Sequence, residues 1–129
     1  MKVSDLFGKT MVSAKVCDDE RVDFVDTDGV EYSLYHDQDC CESVHVEDVV
    51  GELDHLVGVP LLMAEESYSG DNPKKHGDES YSYEDESHTW TFYKFATVLG
   101  YVTVRFYGSS NGYYGESARL HVNGEAQYD

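Results

Sequence analysis

The sequence is poor in basic residues and in proline, and it has no long apolar run. Nine Lys and Arg stand against 26 Asp and Glu, so the formal net charge is −17 at pH 7. Such a charge repels nucleic-acid phosphates and anionic membrane surfaces, whereas it attracts a basic protein. The composition therefore argues against direct binding to nucleic acids or to membranes.

Cysteine is also scarce, and its placement excludes a disulfide framework. The three cysteines are Cys17, Cys40 and Cys41, an odd number with two of them adjacent. This usage is typical of a reducing compartment. Residues 1–10 contain no apolar core of a signal peptide, and no apolar run approaches the length of a membrane span. We therefore expect a cytoplasmic protein.

Tyrosine is abundant, with eleven residues, and Val and Thr are common, which favours β-structure. Alternation of apolar and polar residues predicts strands at Thr10–Cys17, Arg21–Asp26 and Val30–His36. Turns of Asp18-Asp19-Glu20 and Thr27-Asp28-Gly29 separate them. These three strands are expected to form an antiparallel meander.

The middle of the chain is less regular. Glu47–Val57 has apolar residues near helical spacing and predicts one or two short helical turns, broken at Gly51. Pro60–Ser67 predicts a further strand, and Tyr113–Val122 predicts the last one. Residues 67–88 are rich in Ser, Gly and Asp and predict a flexible acidic insertion, with a lid over a site as the alternative.

Thr89–Thr97 and Tyr101–Tyr107 predict the strongest hairpin. A three-residue loop closed by Gly100 would pair Thr97 with Tyr101, whereas a two-residue loop, the alternative, would place Lys94 opposite Arg105. The apolar face assigned to the core is then Trp90, Phe92, Ala96, Val102, Val104 and Phe106.

These elements predict a single domain over residues 1–129. Its fold class is mainly β, with minor helical content. We expect an antiparallel meander curled into a small sandwich or an open barrel, with one or two short helices.

One stretch concentrates polar chemistry after the third predicted strand. It contains His36, Gln38, Asp39 and Glu42 beside the two adjacent cysteines. Zinc binding with His45 is one interpretation, although vicinal cysteines fit one tetrahedral ion poorly. A cysteine nucleophile is a second, and a purely structural role is a third. The interpretation that we develop is one wall of a binding site.

A second group is aromatic and basic, which is unusual in so acidic a chain. Arg, Lys and Tyr with an Asn amide can hold a planar polar or phosphate-bearing molecule by stacking and charge-assisted hydrogen bonds. The alternative is internal ion pairing of Lys94 or Arg105 with Asp39 or Glu42. The candidate ligand-binding residues of this group are Tyr93, Lys94, Arg105, Tyr107, Asn111 and Tyr113.

Two blocks of sequence carry a resemblance. The first is YHDQDCCESV at residues 35–44, continued by EDVVG at 47–51 and by Pro60. The second is TWTFYKFATVLGYVTVR at residues 89–105, continued by YGSSNGYY at 107–114. Together they resemble an uncharacterised family of small phage and bacterial proteins. That family carries no assigned activity, so the resemblance implies a phage or prophage context and no catalytic roles.

The function expected from these observations is a non-enzymatic phage accessory protein with a site for a small polar ligand. A nucleotide-derived signal of host immunity, sequestered in the host cytoplasm, is the concrete example. The first alternative is an acidic inhibitor or nucleic-acid mimic that blocks a basic host enzyme. The second is a cysteine- or metal-dependent hydrolase. No cofactor is expected, and the oligomeric state, including a homo-oligomer, is left open.

Overall fold

The computed structural model describes residues 1–38, 42–69, 87–110 and 115–128. Within these ranges the chain forms nine β-strands and two short 3₁₀ turns, at Val3–Leu6 and Leu53–Leu56. The strands are β1 (Met11–Cys17), β2 (Arg21–Asp26), β3 (Glu31–Tyr35), β4 (Ser43–Val50), β5 (Met63–Ser69), β6 (Ser87–Thr97), β7 (Gly100–Ser110), β8 (Arg119–Val122) and β9 (Glu125–Ala126). The mainly β fold predicted from the sequence is confirmed.

The strands form two antiparallel sheets that pack as a small sandwich. The first sheet has the order β1-β2-β3-β8-β9, and the second has the order β4-β7-β6-β5. One continuous core lies between them. Phe24 of the first sheet meets Phe95 of the second edge to face, with ring centroids 5.4 Å apart.

The β1–β2–β3 meander agrees with the prediction to within a residue at each end. Val22 of β2 pairs with Leu34 of β3, and both are fully buried. Gly29 closes the second turn with a φ of +80°, which explains the glycine there. β8 then adds to the free side of β3, where Leu34 pairs with Leu120.

The helical prediction over Glu47–Val57 is wrong for its first part, because β4 continues to Val50. The register of β4 against β7 shifts between Val46 and Asp48. The bulge adds one residue to β4, so two successive core-facing side chains, Val46 and Val49, are three residues apart as in a helix. Within Glu47–Val57, a helical turn is present only at Leu53–Leu56, after the chain turns at Gly51.

The β6–β7 hairpin was correctly located, but its predicted register is wrong. Thr97 pairs with Gly100, so Val98 and Leu99 alone form the loop. The one-residue shift reverses the assignment of β6 faces. Tyr93 and Phe95 enter the core, together with Val102, Val104 and Phe106 of β7.

Trp90 is nevertheless buried, on the outer face of the second sheet. Its ring lies parallel to Phe92 and edge-on to Tyr107, with centroids 6.1 and 5.0 Å away. The guanidinium of Arg105 lies 5.4 Å from the Trp90 ring centroid. This side therefore carries a second aromatic cluster, which misled the sequence-based assignment of the core face.

The segment before β8 crosses the inner face of the second sheet at Gly108. A Cβ atom at Gly108 would collide with the carbonyl of Glu116. The Glu116 carboxylate accepts a hydrogen bond from the Thr89 hydroxyl at 3.0 Å, and the Ala118 amide donates to Thr91 Oγ1 at 3.3 Å. Threonine hydroxyls inside the sandwich thus form hydrogen bonds with the segment that links the two sheets.

The acidic insertion predicted at 67–88 is shorter at both ends, because β5 extends through Ser69 and β6 begins at Ser87. Residues 70–86, which contain most of it, lie outside the described residues. Within the described ranges, no helix has the length and apolar character needed to cross a membrane.

Candidate functional site

A groove of about 340 Å³ opens beside the end of β3. The turn after β1, the first residue of β2 and the chain leaving β3 form its walls. We call it the Tyr35 groove. Its lining residues are Glu20, Arg21, Tyr35, His36, Asp37, Gln38 and Val44.

Arg21 supplies the cation of this groove and is held from three sides. Its Nε donates to Asp23 at 2.9 Å, and its Nη2 donates to Ser33 Oγ at 3.0 Å. Its guanidinium carbon lies 4.6 Å from the ring centroid of Tyr35, a cation–π distance. The hydrogen bond to Asp23 raises the pKa of Arg21 further. Within the described chain Nη1 makes no hydrogen bond, so the fixed guanidinium keeps donors available.

Asp23 anchors this arrangement on the outer face of the first sheet. It accepts hydrogen bonds from Arg21, from the Ser33 hydroxyl at 2.7 Å and from the Cys17 thiol at 3.3 Å. Burial alone would raise the pKa of Asp23, but these hydrogen bonds outweigh it and lower the pKa. The bond to Asp23, with burial, raises the pKa of the Cys17 thiol, so Cys17 is not an activated thiolate.

On the β8 side, Tyr35 stacks on His121 with ring centroids 3.6 Å apart and planes 11° apart. His121 is 1% exposed, and its Nε2 lies 3.2 Å from the Asp37 carboxylate. Its Nδ1 lies 3.0 Å from the Arg119 carbonyl oxygen. Burial, followed by the charge of Asp37, raises the pKa of the Tyr35 phenol. The Tyr35 ring is therefore fixed and stays a neutral hydrogen-bonding group near pH 7.

His36, which lines the groove, forms a largely buried pair with Glu42. His36 Nε2 lies 2.9 Å from Glu42 Oε2, and His36 Nδ1 lies 3.0 Å from the Ser117 carbonyl oxygen. Their side chains are only 12% and 1% exposed. The Gln38 amide donates to the Glu42 carbonyl oxygen. Three residues predicted from the sequence as one wall are thus joined by direct contacts.

The other predicted site residues do not share this groove. Tyr93 is fully buried in the core, and Lys94 is exposed beside β5. Arg105 binds Asp48 through two hydrogen bonds, the one from Nε measuring 2.6 Å. Tyr107 packs against Trp90 on the outer face of the second sheet. Asp39, Asn111 and Tyr113 lie outside the described residues, as do Cys40 and Cys41.

The structure therefore supports internal pairing for Arg105, with a partner that sequence reasoning did not name. Asp48 lies directly opposite Arg105 in the β4–β7 register, immediately after the bulge. The hydrogen bond to Asp48 raises the pKa of Arg105. Within the described ranges, no three His, Cys, Asp or Glu side chains are arranged to hold a metal ion.

Sequence reasoning missed Arg21, Tyr35 and His121 as contributors. A signal for the first two was available, since the meander register places Val22 opposite Leu34 and hence Arg21 beside Tyr35. His121 could not be placed, because nothing local indicates that β8 adds to β3.

The family described as "Domain of unknown function (DUF7448)" matches residues 4–120. No curated protein and no solved structure matches the chain.

Proposed function

Since the chain belongs to a domain family of unknown function, we propose a function from the geometry of its own residues. The protein binds a small polar ligand in the Tyr35 groove and does so without catalysing a reaction on it. The observation that carries this proposal is the guanidinium of Arg21, fixed by Asp23, Ser33 and Tyr35 at the edge of an open groove. A fixed donor loses little conformational entropy when a ligand binds.

The groove offers complementary hydrogen-bonding groups around that cation. Arg21 can donate to a phosphate or carboxylate oxygen, and the exposed Asp37 can accept from an amino or hydroxyl group. Gln38 and His36 are already bonded to their neighbours, so they shape the wall. A ligand with both an anionic group and neutral donors fits this set.

A nucleotide-derived signal of host immunity is the ligand that we propose in a phage context. Arg21 would bind its phosphate, while Asp37 and the Tyr35 hydroxyl would bind its base or sugar. Sequestration of such a signal in the host cytoplasm requires binding alone, which would make the protein a counter-defence factor.

The test combines native mass spectrometry of the gently purified protein with calorimetric titration of adenosine and guanosine mononucleotides. We expect a bound nucleotide and an affinity that falls about tenfold or more in Arg21→Gln, since a hydrogen bond to a charged group contributes about 1.5–3 kcal/mol. Lys15→Gln is the matched control, because Lys15 is an exposed base on the same sheet face outside this groove.

If Arg21→Gln and Lys15→Gln lowered the affinity equally, the loss would come from the change in net charge alone, and the proposal would be contradicted. If Arg105→Gln lost nucleotide binding while Arg21→Gln kept it, the ligand would lie on the second sheet instead. Absence of any bound nucleotide and of any titration signal would also contradict it.

A second candidate function is an acidic inhibitor that occupies a basic cleft on a host enzyme. The observation that favours it is a row of exposed carboxylates, Asp18, Asp19 and Glu20, in the turn beside the exposed Asp37. Capture of a host protein that is lost in an Asp18→Asn, Asp19→Asn double variant, but kept in Arg21→Gln, would support this function over ligand binding.

A further inference from the structure

We propose that a second, separate site binds the phosphoryl group of a small metabolite in the cleft between β5 and the N-terminal residues. This β5 cleft has a volume of about 440 Å³ between residues 2–4, residues 64–67 of β5 and Lys94. A smaller cleft of about 210 Å³ shares Lys2, Val3 and Glu66 with it and continues to Tyr68 and Arg119. The two volumes form the open mouth of the sandwich at its β5 edge.

Basic side chains are concentrated at this mouth. Lys2, Lys94 and Arg119 line the two clefts, and the whole chain has only nine Lys and Arg. In the described part of the chain, none of the three lies within ion-pair distance of a carboxylate. Arg119 donates instead to the Gln127 carbonyl oxygen at 3.0 Å and lies 4.2 Å from the Tyr128 ring centroid. Among the described residues, three bases that form no ion pair thus lie around two adjoining clefts, which points to an external anion.

A buried phenol lies behind the cleft and adds no negative charge to it. Tyr93 is fully buried, and no described group completes a hydrogen bond to its hydroxyl with acceptable geometry. Tyr93 pairs with Glu66, a residue of both clefts. Burial, followed by the charge of Glu66, raises the pKa of Tyr93 well above its ordinary value. The phenol therefore keeps its proton beside Glu66, and Tyr93 itself lines neither cleft.

Two carboxylates of β5 line the cleft and repel an anion, so they lower the affinity that we expect for it. Glu65 lies opposite Lys94 in the β5–β6 register, and Glu66 accepts a hydrogen bond from the Tyr68 hydroxyl at 2.7 Å. They neutralise part of the local positive charge when the cleft is empty. Compact phosphoryl groups suit this site better than polyanions, which the net charge of −17 repels at long range.

The test is an NMR titration of the ¹⁵N-labelled full chain with inorganic phosphate and with glycerol 3-phosphate. We expect saturable shifts confined to amides near residues 2–4, 64–68, 94 and 119. Lys94→Ala and Lys2→Ala should each weaken binding about tenfold, about 1.4 kcal/mol. Glu65→Gln should strengthen it, because the variant removes a competing charge. Binding of glycerol 3-phosphate that is tighter than binding of inorganic phosphate would indicate an organic ligand.

Lys15→Ala is the control for loss of one positive charge away from the cleft and should leave the titration unchanged. Weakening by Lys15→Ala equal to that by Lys94→Ala would overturn the proposal. So would the absence of saturable shifts, or shifts centred on residues 20–21 and 35–38. The last result would assign the phosphate to the Tyr35 groove, so the two sites are tested separately.

Discussion

Asp26 is a buried carboxylate that organises the turn between β2 and β3. It accepts hydrogen bonds from the Tyr32 hydroxyl at 2.8 Å and from the amides of Asp28 and Val30 at 2.9 and 3.0 Å. Burial alone would raise the pKa of Asp26, but these bonds prevail and lower it. For Tyr32, burial and the bond to Asp26 raise the pKa to about 12. The two residues therefore stay as a carboxylate and a neutral phenol in the folded protein.

Asp26→Asn should lower the free energy of unfolding at pH 7 by about 1.5–3 kcal/mol, because a charged acceptor of three hydrogen bonds is lost. The lowered pKa means that the carboxylate contributes stability above its unfolded pKa, about 3.9, and that this contribution falls as pH drops toward the folded pKa. Urea denaturation of both proteins at pH 7 and near pH 3 measures this. A difference between them that stays constant or grows in acid would contradict the assignment.

At the scale of single elements, β4 shows why part of the fold escaped prediction. Its bulge moves the inward positions from even to odd residues, so that Val46 and Val49 have a spacing that imitates a helix. The core face of the β6–β7 hairpin was predicted wrongly for a related reason, because apolar residues also lie on its outer face. Trp90 and Phe92 form an apolar cluster on the outer face, whereas Thr91 and Thr97 lie inside. Alternation predicted the strands well, but it did not say which face is the core.

Among the described glycines, Gly108 is the one at which an added Cβ atom would come nearest to another atom. Gly108→Ala should destabilise the fold by about 1–3 kcal/mol, because the new methyl group would meet the Glu116 backbone and not a side chain that can move. Thermal and urea unfolding measure the loss.

Gly115→Ala is the matched control, since nothing lies within 4 Å of a Cβ there and its φ is outside the left-handed region. We expect an effect within about 0.5 kcal/mol for it. Equal stability of the two variants would mean that the crossing segment does not hold Glu116 against β7.

At the scale of the whole molecule, the charge of −17 should limit stability in dilute buffer. Moderate sodium chloride screens the repulsion among carboxylates, so the melting temperature should rise with salt up to roughly 0.15 M, where the Debye length is about 8 Å. Differential scanning calorimetry across a chloride series checks this. A flat or falling melting temperature would show that attractive pairs such as Arg105–Asp48 dominate the electrostatics.

How far the sequence predicts the whole molecule depends on the range of the contacts. The local turns of β1–β3 specify their own pairing, and the His36–Glu42 contact joins residues six apart. The approach of His121 to Tyr35 and of Arg119 to Lys2 depends on where β8 inserts. Contacts between residues close along the chain could therefore be anticipated from the sequence, whereas contacts made by distant strands could not.

The pairing of β3 with β8 also has a consequence for how the chain folds. Leu34 must meet Leu120 across most of the sequence before the first sheet is complete. Contacts of such long range slow folding, since the entropy of closing a large loop is lost before the contact forms. On the ribosome, the hydrogen-bonding edge of β3 stays open until the residues of β8 emerge. The nascent meander is therefore exposed to pairing with other chains throughout that interval.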